Sequence, residues 1–249
     1  MPKFRVIPTV LTDGSSQVKG ENFNNWRVVG SIMQAVKVHA RREVDEILLL
    51  DVTAGNFGGF ISPKLVAHIS RTLRIPLAVG GGISRREHIE ELLNAGADKV
   101  VLGTASLRQD GFVRDVASVF GSQAIVCSVD SKDSAHEGVA YRSGKEVAAE
   151  TPVDLALRLE RDGAGELLVQ SVERDGRMMG MDFPLIDKIT SAVRVPVIAS
   201  SGASSGEDFF QAFACGASAA AAGALFQFTE MTPNTVKDYL KSRGVNVRI

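Results

Sequence analysis

The sequence predicts an α/β fold, a single (β/α)8 TIM barrel built from two similar halves, and three observations predict it. Residues 75–105, IPLAVGGGISRREHIEELLNAGADKVVLGTA, are repeated in outline 120 positions later by VPVIASSGASSGEDFFQAFACGASAAAAGAL at 195–225, which pairs Pro76 with Pro196, Gly82 with Gly202 and Gly103 with Gly223. The same offset sets DEILLLDVTAG (45–55) against GELLVQSVERD (165–175), with Glu46 opposite Glu166. Apolar runs and helix-like stretches also alternate eight times, the order expected of βα units around a parallel sheet. A repeat this long is half a barrel rather than one turn of a solenoid, so the 249 residues read as one domain with halves at approximately 1–120 and 121–249.

In chain order the strands fall at 5–11, 46–51, 76–80, 99–103, 124–130, 166–171, 195–200 and 218–222. They are near-continuously apolar, as strands covered on both faces should be. The last run, SAAAA, suits a helix by propensity and is assigned as a strand because the repeat aligns it with DKVVL. The helices follow at approximately 30–42, 63–73, 85–95, 111–120, 151–163, 184–192, 206–215 and 233–242, several with glycine just past the end, as in NAGAD and ACGAS. Two connections are long, 12–29 and 131–150. Each follows the first strand of its half, and both are read as lids over a bound ligand.

Hydrophobic residues make up 45% of the chain and charged residues 23%, enough for a sizeable core, while a net charge of −1 gives no field to hold nucleic acid or a membrane. No stretch approaches the ~20 apolar residues of a membrane span, and MPKFRVIPTVLTDG lacks the apolar core and cleavage site of a signal peptide, so a cytoplasmic location is expected. Cys127 and Cys215 have no metal-ligand spacing and read as small buried side chains. His39, His68, His88 and His136 lack partners at ligand spacing and read as solvated or capping residues; no metal and no cofactor is expected.

Where strands hand over to helices, small residues cluster twice: GGGIS (80–84) with GTAS (103–106), and SSGAS (200–204) with AGAL (222–225). Backbone N–H groups unhindered by side chains at such turns bind phosphate dianions well. Gly81, Gly82, Gly103 and Thr104 make one candidate cradle, and Ser201, Gly202, Ala222 and Gly223 the other. The ligand class is a phosphorylated small molecule with two phosphates, though one cradle alone could be filled; the alternative is that glycine merely permits tight turns.

Longer strings carry a resemblance over the whole chain: VKGENF (18–23), DEILLLDVTA (45–54), VGGGIS (79–84), AGADKV (95–100), FGSQAIV (120–126), GAGELLVQSVERDG (163–176), VIASSGA (197–203) and KSRGVNVRI at the C-terminal end. The chain resembles HisF, the cyclase subunit of imidazole glycerol phosphate synthase. The resemblance implies a barrel whose mouth binds a bisphosphate and whose opposite face docks a HisH-like glutaminase, with ammonia passing between them. It implies a charged gate at the barrel bottom, matched by Arg5, Glu46, Lys99 and Glu166, and a contact to the glutaminase at Asp98. The alternative for these charges is ordinary surface residues.

The family's cyclase uses two aspartates as general acid and base, at the ends of the first and fifth strands. Asp130 matches the second, whereas Leu11 stands where the first belongs, and a leucine transfers no proton. Asp13, two residues on, is either a turn residue beside Gly14 or a substitute for the missing acid. Lys19, Asp51, Ser171 and Asp175 match mouth positions that would hold substrate, although Asp51 and Asp175 also suit helix caps or turns. Gly103 stands where the family's fourth loop typically begins with Asn. GNFGGFI (55–61) and RMMGM (177–181) suggest either a mouth adapted to another substrate or neutral surface change.

IPTVLTDG, and ENFNNWRVVGSIMQAVKVHARREVDEILLLD after it, resemble a branch of the family associated with acetamidino modification of surface-polysaccharide sugars. There, a barrel and a glutaminase are thought to supply ammonia to a third, amidotransferase-like enzyme. Three readings follow: an ammonia-using synthase of that divergent type, an authentic histidine-pathway cyclase acting as a lyase, and a scaffold that conducts ammonia with no chemistry of its own.

Overall fold

The computed structural model describes residues 3–42, 44–132, 138–141, 146–148 and 150–248. Eight parallel strands form the wall: β1 Arg5–Thr12, β2 Ile47–Asp51, β3 Leu77–Gly80, β4 Lys99–Leu102, β5 Ile125–Lys132, β6 Glu166–Ser171, β7 Val197–Ala199 and β8 Ala219–Ala222. Each pairs with its neighbours in chain order, and β8 pairs back onto β1, so the sheet closes into a barrel. All eight expected strands are present. β8 is the case where tertiary context overrides propensity: paired between β1 and β7, Ala219 and Ala221 fill the lumen while Ala220 and Ala222 pack under the helices.

The helical layer comprises α1 Ile32–Arg41, α2 Pro63–Ser70, α3 Arg86–Asn94, α4 Phe112–Phe120, α5 Pro152–Arg161, α6 Phe183–Ala192, α7 Gly206–Ala214 and α8 Pro233–Ser242. Their starts are written locally. Ser62, Thr151 and Asp182 accept from Leu65, Asp154 and Leu185 backbone N–H, and proline follows within the first turn each time. Residues spaced three and four apart, such as Leu155 and Leu159 on α5 or Ile186 and Ile189 on α6, are buried against the strands.

Alternation along each strand divides its side chains between two cores. Outward residues such as Ile47, Leu49, Val79 and Val100 meet the helices. Inward residues Ile7, Leu48, Ala78, Val101, Val126, Leu168, Ile198, Ala219 and Ala221 fill the lumen, with Leu50 partly buried above them.

Several expectations need correction. The connection 12–29 is more than a loop: Gln17–Glu21 pairs with β1 and with Asn24–Gly30 in an antiparallel ribbon, turned through Asn22 and Phe23, both at positive φ. Short helices Thr104–Arg108 and Ala224–Phe228 precede α4 and α8. His39 is buried rather than solvated or capping, and His88, also buried, takes the capping role ahead of α3. His39 lies edge-on to Phe226, and burial takes its imidazole down to about 4; His88 stacks on Phe60 at 3.9 Å and accepts from the Ser84 N–H. His68 is exposed, and His136, with part of the connection 131–150, lies outside the described residues.

Candidate functional site

At the N-terminal ends of the strands, four charged side chains meet inside the barrel. Arg5 donates to Glu46 at 2.6 Å and to Glu166, and Lys99 donates to Glu46 at 3.0 Å and to Glu166 at 2.8 Å. Each cation touches both carboxylates, so the ring is closed. Mutual pairing offsets the cost of taking four charges out of bulk water. Asp98, outside the ring and exposed, accepts from the Leu77 N–H at 2.8 Å, which anchors the start of β3. Above the ring the lumen is filled by the apolar side chains of Ile7, Leu48, Val101, Val126, Leu168 and Ile198.

The mouth is a cavity of about 730 Å³ at the C-terminal ends of the strands, where function concentrates in this architecture. Gly81, Gly82, Gly103 and Thr104 line it on one side, and Ser201, Gly202, Ala222 and Gly223 on another. In both halves a cradle glycine packs against a covering loop. A Cβ on Gly82 would collide with the Gly59 carbonyl, and one on Gly202 with the Gly180 carbonyl, and both glycines hold positive φ. Glycine is therefore required by close backbone approach as well as by dihedral angle. At Gly103 nothing lies within 4 Å of a Cβ.

Asp130 lines the cavity from β5, and its surroundings are specific. Oδ1 accepts from Ser128 Oγ and, at 2.9 Å, from Gln170 Nε2; Gln170 also reaches Ser128 Oγ at 3.2 Å. Burial raises the Asp130 pKa, and these two hydrogen bonds oppose the rise. Leu11 lines the same cavity from β1. The sheet register sets Leu11 beside Leu50 on β2, as it sets Asp130 beside Gln170 on β6, so Leu11 holds the rung that Asp130 holds in the other half.

Lys19 extends from the ribbon into the cavity, donates to the Thr9 carbonyl at 3.1 Å and sits where a Cβ on Gly223 would be. Burial brings its ammonium down to about 8, against the pull of Asp175. Asp175, at the loop after β6, is pushed up to about 6 by burial, with Lys19 opposing. Asp51 lines the cavity yet spends Oδ1 on Thr53 and Ala54, as a turn-capping acid does. Asp13 is likewise a turn residue. It accepts from the N–H groups of Ser16 and Ser15, which hold its carboxyl below the usual range, and it does not line the cavity.

Ser171 is a correction. It is buried at the end of β6 on the outward face, because Leu168 and Gln170 take the inward positions. A one-residue step along a strand changes the face. The residue at the mouth is Gln170, which the linear sequence does not single out, any more than it does Ser128 and Thr9. Polar residues two positions apart in an otherwise apolar strand, as in Ser128 and Asp130, are the signal that points to them. Among the described residues, no three His, Cys, Asp or Glu side chains converge as metal ligands, and no helix is long and apolar enough to cross a membrane.

A family model described as histidine biosynthesis protein matches residues 5–232. The imidazole glycerol phosphate synthase subunit HisF of Pyrobaculum aerophilum is 40% identical over 248 residues, 98% of each chain. That of Dictyoglomus thermophilum is 37% identical over 247 residues, again 98% of each. A Campylobacter jejuni protein with the provisional name imidazole glycerol phosphate synthase subunit hisF2 is 35% identical over 249 residues, the whole of both chains. With a match that runs from the charged ring past both cradles, the chain belongs to the histidine biosynthesis protein family, among HisF-type barrels.

Proposed function

We propose that this barrel receives glutamine-derived ammonia from a HisH-like glutaminase docked beneath the Arg5–Glu46–Lys99–Glu166 ring and delivers it, through the apolar lumen, to a phosphorylated acceptor at the mouth. Ammonia is neutral and small, and an apolar lumen excludes its protonated form. Asp98, beside the ring, is the proposed contact to the glutaminase. Lys19, Asp175, Asp51 and the two cradles are the proposed ligand contacts.

The observation that carries the finer reading is the rung shared by Leu11 and Asp130: one half of the mouth presents an acid and the other a leucine. Cyclisation of the histidine-pathway substrate calls for two proton-transferring groups, whereas addition of ammonia needs one. We therefore favour a divergent synthase in amidino modification of surface sugars, with a third, amidotransferase-like enzyme as a further partner. The name of the Campylobacter jejuni relative, a second subunit of the HisF kind, is consistent with such a branch. The histidine-pathway reading is supported by the names of the other relatives and by both cradles lining one cavity.

The test is turnover of the histidine-pathway bisphosphate with saturating ammonium salt, which bypasses any glutaminase. The expected result is no turnover by the natural chain and a gain of ~10²-fold or more in Leu11→Asp, the ordinary worth of a positioned acid or base. Turnover by the natural chain at ordinary enzyme rates would overturn the divergent reading. Asp130→Asn separates chemistry from a bare conduit, since a scaffold would tolerate it.

A further inference from the structure

The side chains around Asp130 form a unit that the other half of the barrel lacks. Ser128 and Asp130 face the lumen two residues apart on β5, and Gln170 is the β6 residue in register with Asp130. At the same rungs of the first half stand Thr9, Leu11 and Leu50. The acid and the amide beside it are both replaced by leucine. The hydroxyl position is kept, and the Thr9 Oγ1 is buried with no hydrogen-bond partner.

That orphan shows what the hydroxyl on this rung does. Where the carboxylate is present, the hydroxyl donates to it; where the carboxylate has become leucine, the hydroxyl has nothing to meet. A buried polar group without a partner is costly, and one that recurs on the rung with an acid beside it in only one half marks the acid as its partner.

We infer that Ser128 and Gln170 are positioning residues for Asp130, together saturating Oδ1 so that Oδ2 is the oxygen presented to the acceptor in the cavity. Oδ2 receives no donor among the described residues. With Ser128 Oγ giving its single proton to Oδ1, and Gln170 Nε2 lying within reach of both Oδ1 and Ser128 Oγ, the carboxyl group cannot turn about its last torsion without breaking two hydrogen bonds. The base is thereby restricted to one oxygen and one direction, the geometry that general-base catalysis depends on. This inference rests on the proposed role of Asp130 in ammonia addition. The other charged groups lining the cavity are Lys19, Asp51, Arg108, Glu146 and Asp175, of which Asp175 is coupled electrostatically to Asp130.

The experiment is a pH titration of the Asp130 carboxyl carbon by 13C NMR in the full chain, with Asp130→Asn supplying the assignment. Natural protein, Ser128→Ala and Gln170→Leu are compared, the last copying Leu50. Both donors favour the charged form, so removing either should move the titration midpoint to higher pH, by about one pH unit. The acidic limb of any ammonia-dependent turnover should move with it, a change that a purely structural role would not produce. A midpoint unmoved in either folded variant would overturn the inference. Should Gln170→Leu fail to fold, Ser128→Ala decides alone. Because the titration needs no acceptor, a moved midpoint with full turnover in Asp130→Asn would leave the positioning intact and remove the proposed function instead.

Discussion

In the first half of the barrel Leu11 lies beside Leu50; on the same rungs of the second, Asp130 lies beside Gln170. At the floor the two halves divide their labour differently. Glu46 and Glu166 are counterparts and both accept from the ring's cations, yet Arg5 and Lys99 both come from the first half, and the second-half counterpart of Lys99 is Ala219. The first half thus supplies the cations below and the second the acid above. The scaffold, from strand register to the loops covering Gly82 and Gly202, remains common to both. Symmetry is kept where backbones must meet and lost where side chains choose a reaction.

Lys19 offers the largest effect with which to break the comparison. It leaves the first half to cover Gly223 in the second, and the corresponding stretch of the second half has Gly138 and Val139, neither ionisable. Its pKa falls from 10.5 to about 8 on folding, so between those values the folded state holds fewer protons than the unfolded chain. Stability then rises with pH across that window. The natural chain should gain on Lys19→Met by about 3 kcal/mol between pH 8 and 10.5, since each tenfold loss of proton affinity is worth ~1.4 kcal/mol. Denaturant unfolding at stepped pH checks it, and parallel curves for the two proteins would refute a buried ammonium. Asp175 carries the opposite sign. Its folded pKa of about 6 lies above the unfolded value, so stability from this group is lost as pH rises through 6.

The floor sharpens the comparison from the symmetric side. Glu46→Gln and Glu166→Gln each leave Arg5 and Lys99 facing one carboxylate in place of two. With the cations about a fifth exposed, the cost is discounted from the buried limit to about 2 kcal/mol. The two variants should agree to within about 0.5 kcal/mol in urea unfolding, as independent measurements of equivalent sites do. Unequal losses beyond that would mean that the ring is held chiefly by one half.

Elements built from long periodic signals were legible in the sequence, and those built from a few residues were not. The eight strands and eight helices followed from apolar runs and the 120-residue offset, which rescued even the alanine strand Ala219–Ala222. The ribbon Gln17–Gly30 was hidden because its turn uses Asn22 and Phe23 at positive φ rather than glycine, and its outer strand is largely exposed, with no apolar–polar alternation to mark it. Helices of five residues leave no period to read. At the site, Asp130 stood out as an acid ending an apolar strand. Gln170 reaches Asp130 from another strand 40 residues away, a relation that register reveals and a linear reading passes over, and Ser128 meets the same carboxylate from two residues along its own strand, a contact that only the inward face of the strand makes visible. The same blindness to facing explains Ser171.

Ser201 offers the smallest effect and the most direct reading of what the second cradle is for. Its counterpart in the repeat is Gly81, yet Ser201 itself holds φ at 71°, a left-handed angle that costs a residue with a Cβ about 1 kcal/mol. Its Oγ is buried without a well-formed hydrogen bond, although it lies near enough to Asp175 to help hold that carboxyl down. Both features oppose stability, so Ser201→Gly should stabilise the fold by about 0.5–1 kcal/mol, the relief being partly offset by glycine's greater freedom when unfolded. A hydroxyl kept against such a cost at the wall of a cavity is explained by a ligand that accepts from it. Inorganic phosphate should accordingly raise the melting temperature of the natural chain more than that of Ser201→Gly. A variant that is less stable, or equally protected by phosphate, would place the origin of Ser201 in packing and leave the second cradle to Gly202 and Lys19.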